Sequence, residues 1–370
     1  MRRMTSQTND TPPIRPTLFR DPAFWGMTAT QFLGAFNDNV FKQLVLLIGV
    51  DYATHFALKG DPYQSTAQAV FAIPFVLLSG FAGWLADRVS KRTIVVGAKV
   101  AEIGIMLAGV GAFLSGAMYS HTLIVSLMIV LGLMAVHSAF FGPSKYGILP
   151  ELFAEHDLPQ ANGIIQMTTF LAIILGAAVC GAAKHYLQAA NIGLWVVSAG
   201  SMLLAVAGTL TALLVRRTPV AQPGLRFSAA SFGVDRSMWQ LLRENRTVFW
   251  VLIVSSLFWF LGGVVTSAVN TFGKAQLKLD DLQTSLLLTT LAVGIAVGCV
   301  VAGIASKGRI SFALVHRATR GMFVALVLLT ATPELGLSPE RTAWISAMLL
   351  LLLGVAAGMF AVPLQVYLQT

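Results

Sequence analysis

Asp38 lies between Asn37 and Asn39, with Lys42 one helical turn further on, near the middle of an apolar run from Phe24 to Val50. As a helix, that run rises about 1.5 Å per residue and spans more than the ~30 Å hydrocarbon core of a bilayer. Asp38 then falls close to the bilayer centre, where a charge costs about 2.5–3.5 kcal/mol on insertion scales. Such a group is expected to face a partner or a wet cavity. Lys42, at i+4, is the local partner on offer. Lys145, near the end of a later apolar run, is a second cation of interest. Lys99 and Glu102, at i and i+3 in another apolar run, form a further intramembrane pair and read as a buried structural one. His137 could relay protons or simply be hydrogen-bonded. Thr266 and Asn270 are one turn apart and share a helix face.

None of these residues composes a catalytic constellation. The sequence has no GxSxG, HExxH, P-loop or adenylation signature. His55, His121, His137, His156, His185 and His316 all lack an aspartate five positions on, so the acyltransferase pattern is missing too. The two cysteines, Cys180 and Cys299, fall inside apolar runs and suggest neither a disulfide framework nor a metal site. An enzyme is not expected, nor any cofactor or metal.

The positioning elements are membrane spans. The chain has 370 residues, 56% of them hydrophobic and 11% charged, against ~25% charged in a soluble domain. Hydropathy predicts ten spans, at about 24–50, 68–86, 93–116, 122–149, 162–183, 191–215, 247–272, 283–305, 311–331 and 342–365. Residues 1–22 are polar and proline-bearing, as in a cytoplasmic tail, with no cleavable signal peptide apparent. Residues 216–246 are the one long polar connection, and its end, from Ser237 to Arg246, mixes apolar residues with arginines as an interfacial helix does. With the N-terminus inside, 18 lysines and arginines fall in inside loops and helix ends and five in outside loops. The bias places the N-terminus in the cytoplasm and accounts for the net charge of +9 as a topology signal rather than a nucleic-acid patch.

An internal repeat is also visible. Gly83 to Arg92 reads GWLADRVSKR and Gly303 to Arg309 reads GIASKGR, 220 residues apart, with Ser306 where the first copy has Asp87. Leu131-Gly132 and Pro143 are echoed by Leu353-Gly354 and Pro363 at offsets of 222 and 220. Gly83 would permit close helix approach. Asp87 could pair with a cation or cap a helix end. Arg88, Lys91 and Arg92 would hold the turn at the headgroups.

The first copy resembles the signature between the second and third helices of the major facilitator superfamily. The stretches Gln31 to Asn39 and Phe141 to Leu149 are similar to its bacterial lysophospholipid transporter branch. Ala161-Asn162-Gly163, Ser256 to Trp259 and Val362-Pro363-Leu364 fit that branch too. The resemblance implies an all-α integral membrane protein of the major facilitator fold, with two pseudo-symmetric six-helix halves. The tail (1–22), the first half (23–215), the linker (216–246) and the second half (247–370) follow, the last with four of six helices. It further implies a conformational latch at Gly83, Asp87, Arg88, Lys91 and Arg92. The first, fourth, seventh and tenth helices would line a cavity, with Asp38, Asn37, Asn39, Lys42, Lys145, Thr266 and Asn270 as its polar residues. Asp38 and Lys145 would pair as a gate when the cytoplasmic side is shut. The implied activity is lysophospholipid transport from outer to inner leaflet of the bacterial inner membrane, for reacylation. The implied partners are lysophospholipid, membrane lipids, and an acyltransferase/acyl-carrier-protein synthetase module, fused or associated. Two other readings stay open: a proton-coupled transporter of a small solute using Asp38 or Glu102, and a membrane module that docks an acyltransferase.

Overall fold

A computed structural model describes residues 17–57, 62–118, 120–227, 236–279, 281–306 and 310–369. Among them the regular structure is helical throughout: α1 (Pro22–His55), α2 (Pro62–Arg88), α3 (Lys91–Ser115), α4 (His121–Gly147), the short α5 (Leu149–Leu152), α6 (Leu158–Ala189), α7 (Trp195–Leu213), α8 (Arg236–Glu244), α9 (Arg246–Thr271), α10 (Asp281–Ala305), α11 (Phe312–Ala331) and α12 (Pro339–Tyr367). Helix is the only element that satisfies its own backbone in lipid without closing a barrel. Eight of these helices are long and apolar enough to cross a membrane. The 34-residue α1 is amply long but carries Asn37, Asp38, Asn39 and Lys42, and the apolar stretch described in α9, Arg246–Gly262, is shorter. The expected interfacial helix is the nine-residue α8.

Local chemistry sets the helix ends. Asp21 caps α1: its Oδ1 accepts from the amide of Ala23 at 2.9 Å, and Pro22, which has no amide hydrogen to leave unpaired, begins the helix. Ser120 caps α4 by accepting from the Leu123 amide at 3.1 Å, and Asn245 caps α9 by accepting from Thr247 and Val248. Arg216 donates to Asp21 Oδ2 at 2.7 Å and to the Leu152 carbonyl at 2.6 Å, so the chain leaving α7 is tied to the start of α1 and the end of α5.

The long helices pack in two sets. In the first, α1 lies against α2, α4, α6 and α7, with α2 on α4 and α3 between α4 and α7. In the second, α12 packs on α10 and α11, with α9 alongside α10 and α12. The sets meet through α6, which lies along α10 and touches α12. Where Lys91, Arg92 and Arg216 cluster, here termed the basic end, Phe24, Met27, Ile148 and Ile165 of the first set share one core with Cys299, Ala302, Leu314 and Val362 of the second. Towards the opposite end each set keeps its own core, around Phe41, Leu44 and Leu127 in one and around Val269, Leu291 and Leu350 in the other. The bundle is thus joined at the basic end.

Within the second set, α10 and α12 meet backbone to backbone. A Cβ at Gly294 would stand 3.1 Å from Gly354 Cα, and one at Gly358 would stand 2.6 Å from the Cys299 nitrogen. The two Gly-x-x-x-Gly pairs, Gly294/Gly298 and Gly354/Gly358, interlock as small residues do where apolar burial gives helices no drive to associate.

Candidate functional site

The buried positions of α1 recur at Gln31, Gly34, Asn37, Phe41 and Leu44, a stripe three or four residues apart. Asp38, Asn39 and Lys42 lie beside that stripe and are half-buried. Neighbouring polar residues on α1 therefore face different surroundings. Asp38 Oδ2 accepts from the Ser138 hydroxyl on α4 at 2.7 Å, and its Oδ1 is buried with no partner among the described residues. Asn39 turns its amide back onto the Ala35 carbonyl at 2.7 Å.

Asn37 corrects the expectation that it belongs with Asp38 in a cavity. It is fully buried in the stripe, and its Nδ2 donates to Glu102 Oε1 at 2.6 Å. Glu102 Oε2 takes Lys99 Nζ at 2.5 Å, so the expected Lys99–Glu102 pair is present and both partners are buried. Gly34 makes room for it: a Cβ there would stand 2.7 Å from Lys99 Nζ. His137 Nε2 lies 3.6 Å from Glu102 Oε2, and His137 Nδ1 lies 3.3 Å from Ser138 Oγ. The pair on α3 and the carboxylate on α1 come together in one buried polar cluster of Lys99, Glu102, Asn37, His137, Ser138 and Asp38, in which His137 Nε2 has no hydrogen-bond partner among the described residues.

Neither cation expected beside Asp38 is paired with it in this conformation. Lys42 stands over the Phe71 ring, 5.0 Å from its centroid. Lys145 donates to Thr169 Oγ1 on α6 at 3.2 Å and lies 4.8 Å from the Tyr146 ring centroid. The reason is axial: Asp38 is level with Ser138, and Lys145 lies seven residues further along α4, about 10 Å at helical rise. The shared core closes the basic end without an Asp38–Lys145 pair, so the gate expected there is not formed.

Gln31 is a site residue that side-chain reasoning passed over. It is buried, and its Nε2 reaches the Ile165 carbonyl at 3.0 Å, Thr168 at 3.1 Å and Thr169 at 2.7 Å, meeting Lys145 at the same threonine. A glutamine in a membrane span was the available signal. Thr266 and Asn270 lie on α9 one turn apart; their side chains are outside the described residues.

The latch residues tie elements of the first set to one another. Lys91 pairs with Glu151 on α5. Arg92 Nε donates to the Val215 carbonyl at 2.5 Å and Nη2 to Leu213 at 3.2 Å, satisfying the open carbonyls at the end of α7. Arg88 lies over the Trp84 ring at 5.3 Å, and the Asp87 carbonyl accepts from the Gln222 amide at 2.8 Å. Gly83 does not serve a close helix approach: a Cβ there would meet nothing within 4 Å. Its neighbours Phe81 and Trp84 instead hold Phe227 of the linker at 5.7 and 5.1 Å. The close approach falls instead between α6 and α10, where a Cβ on Gly163 would stand 2.6 Å from the Cys299 carbonyl oxygen and 3.3 Å from Gly303 Cα. Beside it Asn162 and Gln369 exchange two amide hydrogen bonds, at 2.8 and 2.9 Å. In the second motif copy, Ser306 donates to the Ala302 carbonyl at 2.7 Å, and residues 307–309 lie outside the described residues.

This architecture and these residues can be set beside known proteins. Residues 24–370 match the Major Facilitator Superfamily. The chain belongs to that family. Within it, the chain is 31% identical over 349 residues to a protein of Salmonella arizonae named lysophospholipid transporter LplT, covering 92% of this chain and 78% of that one. It is 30% identical over 353 residues to the protein of the same name from an Enterobacter species, covering 93% and 79%. In fold it is similar to a bacterial homologue of the iron transporter ferroportin in an outward-facing state, with a TM-score of 0.62, 16% identity and coverage of 93% and 84%. It is also similar to the proton:xylose symporter XylE, with a TM-score of 0.62, 14% identity and coverage of 94% and 81%. This member of the Major Facilitator Superfamily is a multi-pass membrane transporter, not an enzyme.

Proposed function

We propose that the chain moves lysophospholipid, of the lysophosphatidylethanolamine type, from the outer to the inner leaflet of the bacterial inner membrane. The names of the relatives support the substrate, and the basic residues support an orientation with the N-terminus and the basic end in the cytoplasm. Residues 23–215 and 247–370 act as the two halves that alternate access, 216–246 links them, and 1–22 is a cytoplasmic tail. In that frame the present conformation is shut on the cytoplasmic side. The headgroup passes between the halves while the acyl tail stays in lipid through a lateral opening. The delivered lysolipid is reacylated inside by an acyltransferase/acyl-carrier-protein synthetase, fused or associated.

The observation that carries the reading is Asp38: a half-buried carboxylate on α1, held by one hydrogen bond from Ser138, with its second oxygen unpartnered. An ammonium headgroup is the natural complement of that oxygen. Asn39 and Lys42 flank it on α1. Uptake of fluorescent lysophosphatidylethanolamine into vesicles tests the site. Asp38→Ala is expected to lose at least about tenfold in rate, the worth of one charge-assisted bond; a variant that transports like the wild type overturns the assignment.

A further inference from the structure

Asp38 and Lys42 stand at i and i+4 on α1, acid ahead of base, the arrangement in which a helix ordinarily closes an ion pair. Here the pair is not closed. Ser138 of α4 holds the carboxylate at 2.7 Å, and Phe71 of α2 draws the ammonium to 5.0 Å from its ring centroid. Among the described residues Lys42 makes no ion pair or hydrogen bond, and Asp38 Oδ1 has no partner. Two unlike charges thus share one face of α1 and are kept apart by two other helices.

Such a pair fits a ligand that carries both signs. Four residues of helix rise about 6 Å. In an ethanolamine phosphate headgroup four bonds separate nitrogen from phosphorus, which sets its charges about 4–6 Å apart. The order of the charges fits as well. α1 begins at the basic end, where Asp21 meets Arg216 and the two sets share a core. Asp38 therefore lies nearer the joined end, and Lys42 nearer the end at which each set keeps its own core. A lysolipid headgroup entering from that separated end leads with its terminal ammonium, and its phosphate trails beside the glycerol. Lys145 lies on the wrong side for that order: it is at the joined end, 7% exposed, and donates to Thr169. The cation–π contact with Phe71 is weaker than the charge-assisted bonds a phosphate oxygen offers, and the four-carbon stem lets the ammonium swing without moving the helix.

We propose that Lys42 is the phosphate-binding residue of the lysolipid site, so that Asp38 takes the ammonium and Lys42 the phosphate, one turn apart on α1. The proposal rests on the headgroup reading above and adds the direction in which the headgroup lies. It also divides the selectivity. Lys42 serves any lysophospholipid, because all carry the phosphate, whereas Asp38 favours those with an amine.

The test measures binding to the full chain in detergent, by native mass spectrometry, of three lipids with the same single acyl chain. Lysophosphatidylethanolamine carries both charges, lysophosphatidylglycerol the phosphate alone, and monoacylglycerol neither. The wild type should bind them with affinity falling in that order. Lys42→Gln should weaken the first two about tenfold and leave monoacylglycerol unchanged, and Lys42→Arg should restore most of the loss. Asp38→Asn should weaken lysophosphatidylethanolamine alone. A Lys42→Gln loss equal for all three lipids marks a packing role and overturns the proposal, as does a Lys42→Gln protein that keeps the wild-type affinities. If Lys42→Gln behaves as expected but Asp38→Asn leaves lysophosphatidylethanolamine unchanged, the phosphate assignment stands and the ammonium reading of Asp38 fails. A wild type that prefers neither phospholipid to monoacylglycerol sinks both.

Discussion

The first helix set buries Asn37, Lys99, Glu102, His137 and Lys145, whereas the second buries no charged side chain among the described residues, only Ser306, Thr332, Thr342 and Ser346 as polar ones. Both sets solve the same problem. In lipid, helices gain little by hiding apolar surface from one another, so they associate through hydrogen bonds or through close backbone contact. The first set uses both: Asn37 of α1 and His137 of α4 meet the Lys99–Glu102 pair of α3, and α1 closes on α6 at Gly176, where a Cβ would stand 2.7 Å from the Phe36 carbonyl oxygen. The second uses glycine: α10 and α12 are pressed together at Gly294, Gly298, Gly354 and Gly358. A polar contact can change partners, and so can bind, titrate or respond to a ligand. A glycine contact is set by shape and has one solution. Among the described residues, the polar contacts that can change partners are therefore concentrated in the first set.

The largest expected effect comes from breaking the glycine contact. At Gly298 even a Cβ would stand 2.8 Å from Val355 Cα, with backbone rather than a flexible side chain in the way. Gly298→Leu should cost at least the ~3 kcal/mol typical of severe overpacking and leave no monodisperse protein in size-exclusion chromatography. The same change at Gly83, where a Cβ meets nothing within 4 Å, should move stability by no more than about 0.5 kcal/mol. Equal tolerance at the two positions would remove the contrast between the sets.

The next effect breaks the polar side. Glu102→Leu strands the Lys99 ammonium, 1% exposed, without its partner and should cost about 3–5 kcal/mol. Removing both charges in Lys99→Met/Glu102→Leu should recover most of that loss, because the stranded charge, rather than the missing bond, dominates it. Thermal unfolding in detergent compares the two. A double variant no more stable than the single one would mean that the stranded Lys99 charge is not what the loss consists of.

The sequence made this division only partly legible. Span positions were readable because long apolar runs separated by basic turns leave few alternatives, and each of the ten expected spans overlaps a long helix. The pairing of Lys99 with Glu102 was readable from i, i+3 spacing. What joins that pair to Asp38 was not, because Asn37 lies on α1 and His137 and Ser138 on α4, helices whose rotation decides who meets whom. One step of about 100° around α1 turns Asn37 to Glu102 and Asp38 to Ser138. The two proposed partners of Asp38 failed at the same level: spacing gave Lys42 the right face, but the ring of Phe71 lies nearer to hand, and family resemblance put Lys145 on the right helix about two turns away. The interlocked glycines were present in the sequence as spacings of four, which acquire meaning only when two helices are known to touch.

The contact between the sets gives the smallest expected effect. Asn162 is wholly buried, donates to both the Leu158 carbonyl and Gln369, and accepts from Gln369 in return, beside the Gly163–Gly303 approach. Asn162→Ala removes the clasp but not the shared core, so it should cost about 1 kcal/mol. That cost falls on the conformation joined at the basic end, because one partner sits on α6 and the other just past the end of α12, and they separate when that end opens. Cys299 reports the opening: it is fully buried in the shared core against Gly163, and Cys180 is the chain's other cysteine. In a Cys180→Ser background, Asn162→Ala should label at Cys299 with a membrane-permeant thiol reagent about fivefold faster than the parent, as expected for a shift of about 1 kcal/mol in the population of the open form. Unchanged labelling would mean that the clasp decorates the interface and that the glycine approach alone sets how tightly the sets close.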